Sequence, residues 1–141
     1  MNTKQLAITA MMLFVATEAS FAQSFYPKLK KYSSADKQRI EKIYASTLAS
    51  DNKGVVESAL TIAIKMKLDL PEDEFPMLSA KIERLMSLST TPSIRYKAFI
   101  ASAVFSHPDQ FRNIIAQQYD NPADLFDVLA GESGQITLSE K

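Results

Sequence analysis

Residues 53–68 read Lys-Gly-Val-Val-Glu-Ser-Ala-Leu-Thr-Ile-Ala-Ile-Lys-Met-Lys-Leu. Val55, Val56, Ala59, Leu60, Ile62, Ala63, Ile64 and Met66 are apolar around most of a helical circumference. A helix of that kind is normally buried between neighbours, so this segment predicts the central element of an all-helical domain. The preceding Asp51-Asn52 stops one helix and caps the next.

Upstream, residues 34–50 predict a first helix. Ser33 or Ser34 can cap its first turn, with Asp36 near the positive end. Ile40, Ile43, Tyr44 and Leu48 recur at three- and four-residue steps and mark its apolar face. Downstream, residues 69–73 form a connection to a third helix from Glu74 to Leu88, with Pro76 in its first turn. Met77, Leu78, Ile82, Leu85, Met86 and Leu88 supply the stripe. Thr91-Pro92 opens a fourth helix, a capping residue followed by proline. It continues through Ile94, Ala98, Phe99, Ala101, Val104 and Phe105. His107-Pro108 and Asn121-Pro122 repeat the start signal. They predict one helix holding Phe111, Ile114, Ile115 and Tyr119, then another holding Leu125, Phe126, Val128 and Leu129. Gly131 can take the left-handed conformation that ends the last one.

The N-terminus carries a different message. Lys4 is a short positive region, and Leu6–Ala16 is an apolar run about half the roughly 20 residues needed to span a bilayer. Ser20-Phe21-Ala22 matches a small-x-small cleavage pattern, so the reading is a signal peptide over 1–22 and a mature chain from Gln23. No cysteine follows the run, which excludes lipid attachment at a cysteine. The expected organisation is a signal peptide at 1–22, an N-terminal arm at 23–33, a helical domain at 34–131 and a disordered tail at 132–141. The arm contains Phe25, Tyr26, Leu29 and Tyr32 for packing, with Lys28, Lys30 and Lys31 for water. Zero cysteines and no Asn-x-Ser/Thr sequon fit a bacterial periplasm better than a eukaryotic secretory route. Localisation is therefore expected to be exported, periplasmic or secreted.

Composition narrows the function. The 16 basic and 16 acidic residues balance, which argues against nucleic acid, whose binding draws on a basic surplus. Three glycines are too few for phosphate-cradling loops or turn-rich β architectures. Without cysteine there is no thiol catalysis and no thiolate metal site. His107 is the single histidine, so neither a zinc ligand set nor a triad is indicated; a capping or surface role fits it. Asp69, Glu72, Asp73 and Glu74 form the best carboxylate cluster for hard-cation or acid–base work. They lack EF-hand spacing, and acidic residues also favour a helix N-terminus for electrostatic reasons. Met66, Met77 and Met86 fall on apolar stripes and read as core filling.

The hairpins formed by helices one–two and three–four look alike. At an offset of 39, Ile43 meets Ile82, Ser50 meets Ser89, Val55 meets Ile94, Ala59 meets Ala98, Leu60 meets Phe99 and Met66 meets Phe105. The first helices align slightly better at 38, with Ile40 on Leu78, Tyr44 on Ile82 and Leu48 on Met86. A period near 40 is that of two-helix solenoid units. Thr91-Pro92-Ser93-Ile94-Arg95-Tyr96-Lys97-Ala98-Phe99 resembles the inter-helix turn and early second helix of a HEAT-type repeat. It has an apolar-Arg pair followed by a small residue. Asp51–Leu60 keeps the acidic turn and the small-apolar step but has Val56 where the second hairpin has Arg95.

The resemblance covers residues 34–106. It implies a short right-handed stack of antiparallel helical hairpins, a HEAT-like α-solenoid; the same patterning would also produce an irregular helical bundle. It further implies a non-enzymatic scaffold or interaction module for a protein or peptide partner. Arg95, Tyr96 and Lys97 beside the turn are the candidate contact residues, since Arg and Tyr recur in binding hot spots. No cofactor, no metal and no stable membrane anchor are expected, and a homodimer could cover an exposed face. The alternative is a periplasmic protein that binds a small ligand or metal, or a carboxylate-based enzyme, using the Asp69–Glu74 region.

Overall fold

The computed structural model describes residues 31–115 and 118–139, the last five as backbone; the segments expected to be a signal peptide (1–22) and most of an N-terminal arm (23–33) lie outside the described residues. Every regular element is helical among these residues. They are α1 (Ser34–Thr47), α2 (Lys53–Asp69), α3 (Pro76–Leu88), α4 (Pro92–Ser106), a 3-10 turn (Pro108–Phe111) and α5 (Pro122–Ser139). Tyr32–Lys141 forms one compact unit.

The helix starts follow from local chemistry. Ser33 Oγ accepts from Asp36 N at 3.2 Å, and Asn52 Oδ1 accepts from Val55 N at 3.2 Å. Each satisfies an amide with no partner within its own helix. Thr91 precedes α4 without capping it through its side chain. Its backbone carbonyl accepts from Arg95 N instead, and Pro92 at the first position removes one amide in need of a partner.

α2 is the most buried helix. Val56, Ala59, Leu60, Ala63, Ile64 and Met66 are all core residues, as its circumference predicts. It packs on α1 and α4, while α3 packs on α1 and α4. First helix thus lies on first helix and second on second. The buried positions of α2 and α4 coincide at an offset of 38: Val56 with Ile94, Leu60 with Ala98, Ala63 with Ala101, Met66 with Val104. Those of α1 and α3 coincide at 37: Glu41 with Leu78 and Ala45 with Ile82. Each register is one residue shorter than the sequence alignment suggests. Val55 and Phe99, which that alignment used, point outward at 38% and 50% exposure.

Three further expectations are corrected. The buried face of α1 is Glu41, Ala45 and Leu48, whereas Ile43 is exposed. Met66 is core, but Met77 is exposed and Met86 half-buried. Where one helix was expected through Phe111 and Tyr119, the described residues show the 3-10 turn, with Phe111 fully buried, an irregular stretch after it and 3-10 conformation again at Gln118.

At the C-terminus, α5 does not end at Gly131, which has no positive φ. The helix runs through both glycines to Ser139, where a disordered tail was expected from 132. A helical glycine costs only about 1 kcal/mol relative to alanine, and no proline follows to force a stop. The buried Ser133 hydroxyl donates to Leu129 O at 2.8 Å, which satisfies it inside the helix.

Candidate functional site

Three places bear on function: the acidic connection between α2 and α3, the turn before α4, and the seam between α1 and α3.

The acidic connection surrounds the start of α3, where Phe75 stands in the capping position and offers no side-chain acceptor. Pro76 has no amide. Glu41, reaching across from α1, accepts from Met77 N at 2.6 Å and Leu78 N at 3.2 Å through Oε1. Ser79 N bonds Phe75 O at 2.9 Å. The first-turn amides are thereby all accounted for, and Glu41, 3% exposed, supplies negative charge at a positive helix end.

Lys67, near the C-terminal end of α2, donates to Pro71 O at 2.8 Å and Asp73 O at 3.0 Å. Lys37 pairs with Asp73 at 2.5 Å. Ser34, Lys37, Gln38, Glu41, Glu72, Asp73, Glu74 and Phe75 line a cleft of about 260 Å³. Neither Arg95 nor His107 lines it, and no group of three His, Cys, Asp or Glu side chains among the described residues could hold a metal ion. Glu72 lies in water 4.0 Å from Arg112 Nη2. The cleft's central charges are therefore engaged in joining α1, α2 and α3.

The candidate contact residues beside the second turn part company. Arg95 Nη1 donates to Ser89 O at 2.8 Å, bracing the α3–α4 turn. Lys97 pairs with Glu57 of α2 at 3.1 Å, and its ammonium stands 5.3 Å from the centroid of the Phe126 ring on α5. It therefore links three helices, using both charge and cation–π attraction. Arg95 and Tyr96 are both exposed, Tyr96 at 55%. His107 is exposed at the junction of α4 and the 3-10 turn, where its carbonyl accepts from Gln110 N at 3.1 Å.

The α1–α3 seam was not singled out from sequence. Two adjoining depressions of about 490 and 370 Å³ share Lys81 and Arg84. Ala45, Met77 and Ala80 line the first, and Leu48, Ala49, Leu85 and Leu88 the second. Lys42, Lys81 and Arg84 are the charged residues of this lining, which contains no carboxylate. None of the three makes an ion pair or hydrogen bond with another described residue. Spacing held a signal for this: Met77, Lys81, Arg84 and Leu88 recur at four, three and four residues along one side of α3. The sequence reading assigned Met77 and Leu88 to the core, which concealed it.

No helix among the described residues is long and apolar enough to cross a membrane. Compared with known proteins, the chain matches no family model, no curated protein and no solved structure.

Proposed function

We propose that this chain is an exported, non-enzymatic protein built as a short HEAT-like stack of helical hairpins, and that it acts as a protein–protein interaction or scaffold module. The packing of α1 on α3 and α2 on α4, with matching buried positions, supports the stack. The apolar run and small-x-small site of residues 1–22 support export.

The observation that carries the partner-binding reading is the α1–α3 seam. It combines an apolar lining with three cations that no other described residue engages. Exposed apolar surface rimmed by charge is characteristic of association sites. The carboxylate alternative at Asp69–Glu74 lacks comparable support. Asp73 is tied to Lys37, and Glu41 is occupied by the amides of α3.

Site-specific photocrosslinking in the exported chain tests the proposal. A crosslinker at position 84 is expected to give a discrete protein adduct, and one at position 72 none. A chain that yields no adduct at 84 but copurifies with a metal or small molecule would favour the alternative. Intact mass of the exported product is expected to place its N-terminus at Gln23.

A further inference from the structure

We propose that the α1–α3 groove receives an acidic amphipathic helix, a protein segment with carboxylates flanking an apolar stripe. This inference rests on the partner-binding reading and names the chemistry of the partner.

Shape sets the class of occupant. Ala45, Ala49 and Ala80 project little from the helices that carry them, and so leave a concavity between α1 and α3. A concave apolar surface takes in protruding side chains, whereas helices that lie on a bilayer insert protruding side chains of their own. The shape therefore favours a peptide over a lipid surface. From Met77 to Leu88 the groove follows three turns of α3, about 17 Å. That length suits a partner helix of about 12 residues with apolar anchors at i, i+4 and i+7.

Charge sets the sign of the partner. Lys42, Lys81 and Arg84 concentrate positive charge in a lining without carboxylates, on a chain whose total charges balance at 16 and 16. They have no ion-pair partner among the described residues, so an incoming carboxylate displaces no existing pair there. The same charges disfavour two other occupants. A second copy docking through this face would bring like charge against like. The chain's own segment 23–32 carries Lys28, Lys30 and Lys31 and has no carboxylate to offer these cations.

The test is selection of displayed helical peptides of about 12 residues against the mature chain, alongside vesicles rich in phosphatidylglycerol. Enriched peptides are expected to be acidic, with apolar residues at the three anchor positions. Their affinity is expected to fall on the order of tenfold or more with Lys81→Glu/Arg84→Glu, and to fall with added salt. Ala80→Trp, which fills the groove at an exposed position, is expected to block them without charge reversal. Neutral or basic peptides blocked by Ala80→Trp would overturn the acidic partner and leave the partner-binding reading standing. No enrichment, or peptides indifferent to both changes, would overturn both. Vesicle binding lost in Lys81→Glu/Arg84→Glu without peptide enrichment would replace the peptide by lipid.

Discussion

The two ends of α3 use charge in opposite ways. Around its start, Glu41, Lys37, Lys67 and Asp73 are joined to one another or to backbone groups over 2.5–3.2 Å. Along its length, Lys81 and Arg84 face a groove with no anionic neighbour in its lining. The acidic cluster draws the eye in the sequence, yet its members serve the fold. Lys81 and Arg84 share one side of α3, and Lys42 joins them only when α1 lies beside α3. Charge density along a chain is therefore a weaker guide to function than whether each charge already has a partner.

The largest expected effect tests the engaged end. Glu41→Ala leaves two amides at the α3 start without an acceptor, at a cost of about 3 kcal/mol in urea unfolding. Glu41→Gln keeps an acceptor oxygen and loses about 1 kcal/mol. Equal losses for the two would show that the negative charge, and not the acceptor oxygen alone, carries the cap. Next comes Lys67→Met, which removes both bonds to the connection and is expected to cost about 1–2 kcal/mol. It is also expected to speed amide hydrogen exchange in residues 70–75, where a variant with unchanged exchange would break the comparison.

A smaller effect with a decisive sign concerns α5. A Cβ at Gly131 meets nothing within 4 Å. Gly131→Ala is expected to stabilise the domain by about 0.5–1 kcal/mol, because the position is helical. A left-handed helix stop there would make the same change destabilising. The smallest effect is alkaline. Burial raises the Tyr44 phenol above its ordinary value of 10.0. The unfolded chain then ionises first, so its contribution is fully present below about pH 10 and is lost as pH rises through the folded value. Between about pH 9 and pH 11 the urea midpoint is expected to fall less in Tyr44→Phe than in the parent.

The helical architecture was largely legible because its signals are local. Asn52 caps α2, Pro76 and Pro92 open α3 and α4, and the apolar circumference of residues 55–66 marks α2 as central. What escaped depended on distant contacts. Glu41 was not singled out in the sequence, yet Phe75 before Pro76 offers no side-chain cap, and that lack is the one clue that an acceptor must come from elsewhere. Gly131 carries a stop signal that competes with continued helix formation, and a cost of about 1 kcal/mol does not decide the matter locally. The groove was hidden because an apolar stripe does not reveal which of its members a neighbour covers: Leu78 and Ile82 are fully buried, while Met77 and Leu88 are 38% and 68% exposed.

One variant separates the two uses of charge most directly. The triple change Lys42→Ala/Lys81→Ala/Arg84→Ala is to be measured for unfolding free energy and for binding of the selected acidic peptide on the same sample. Stability is expected to stay within about 0.5 kcal/mol of the parent, as for surface positions without partners, while binding is lost. A stability loss on the scale of Glu41→Ala, with binding retained, would contradict the account.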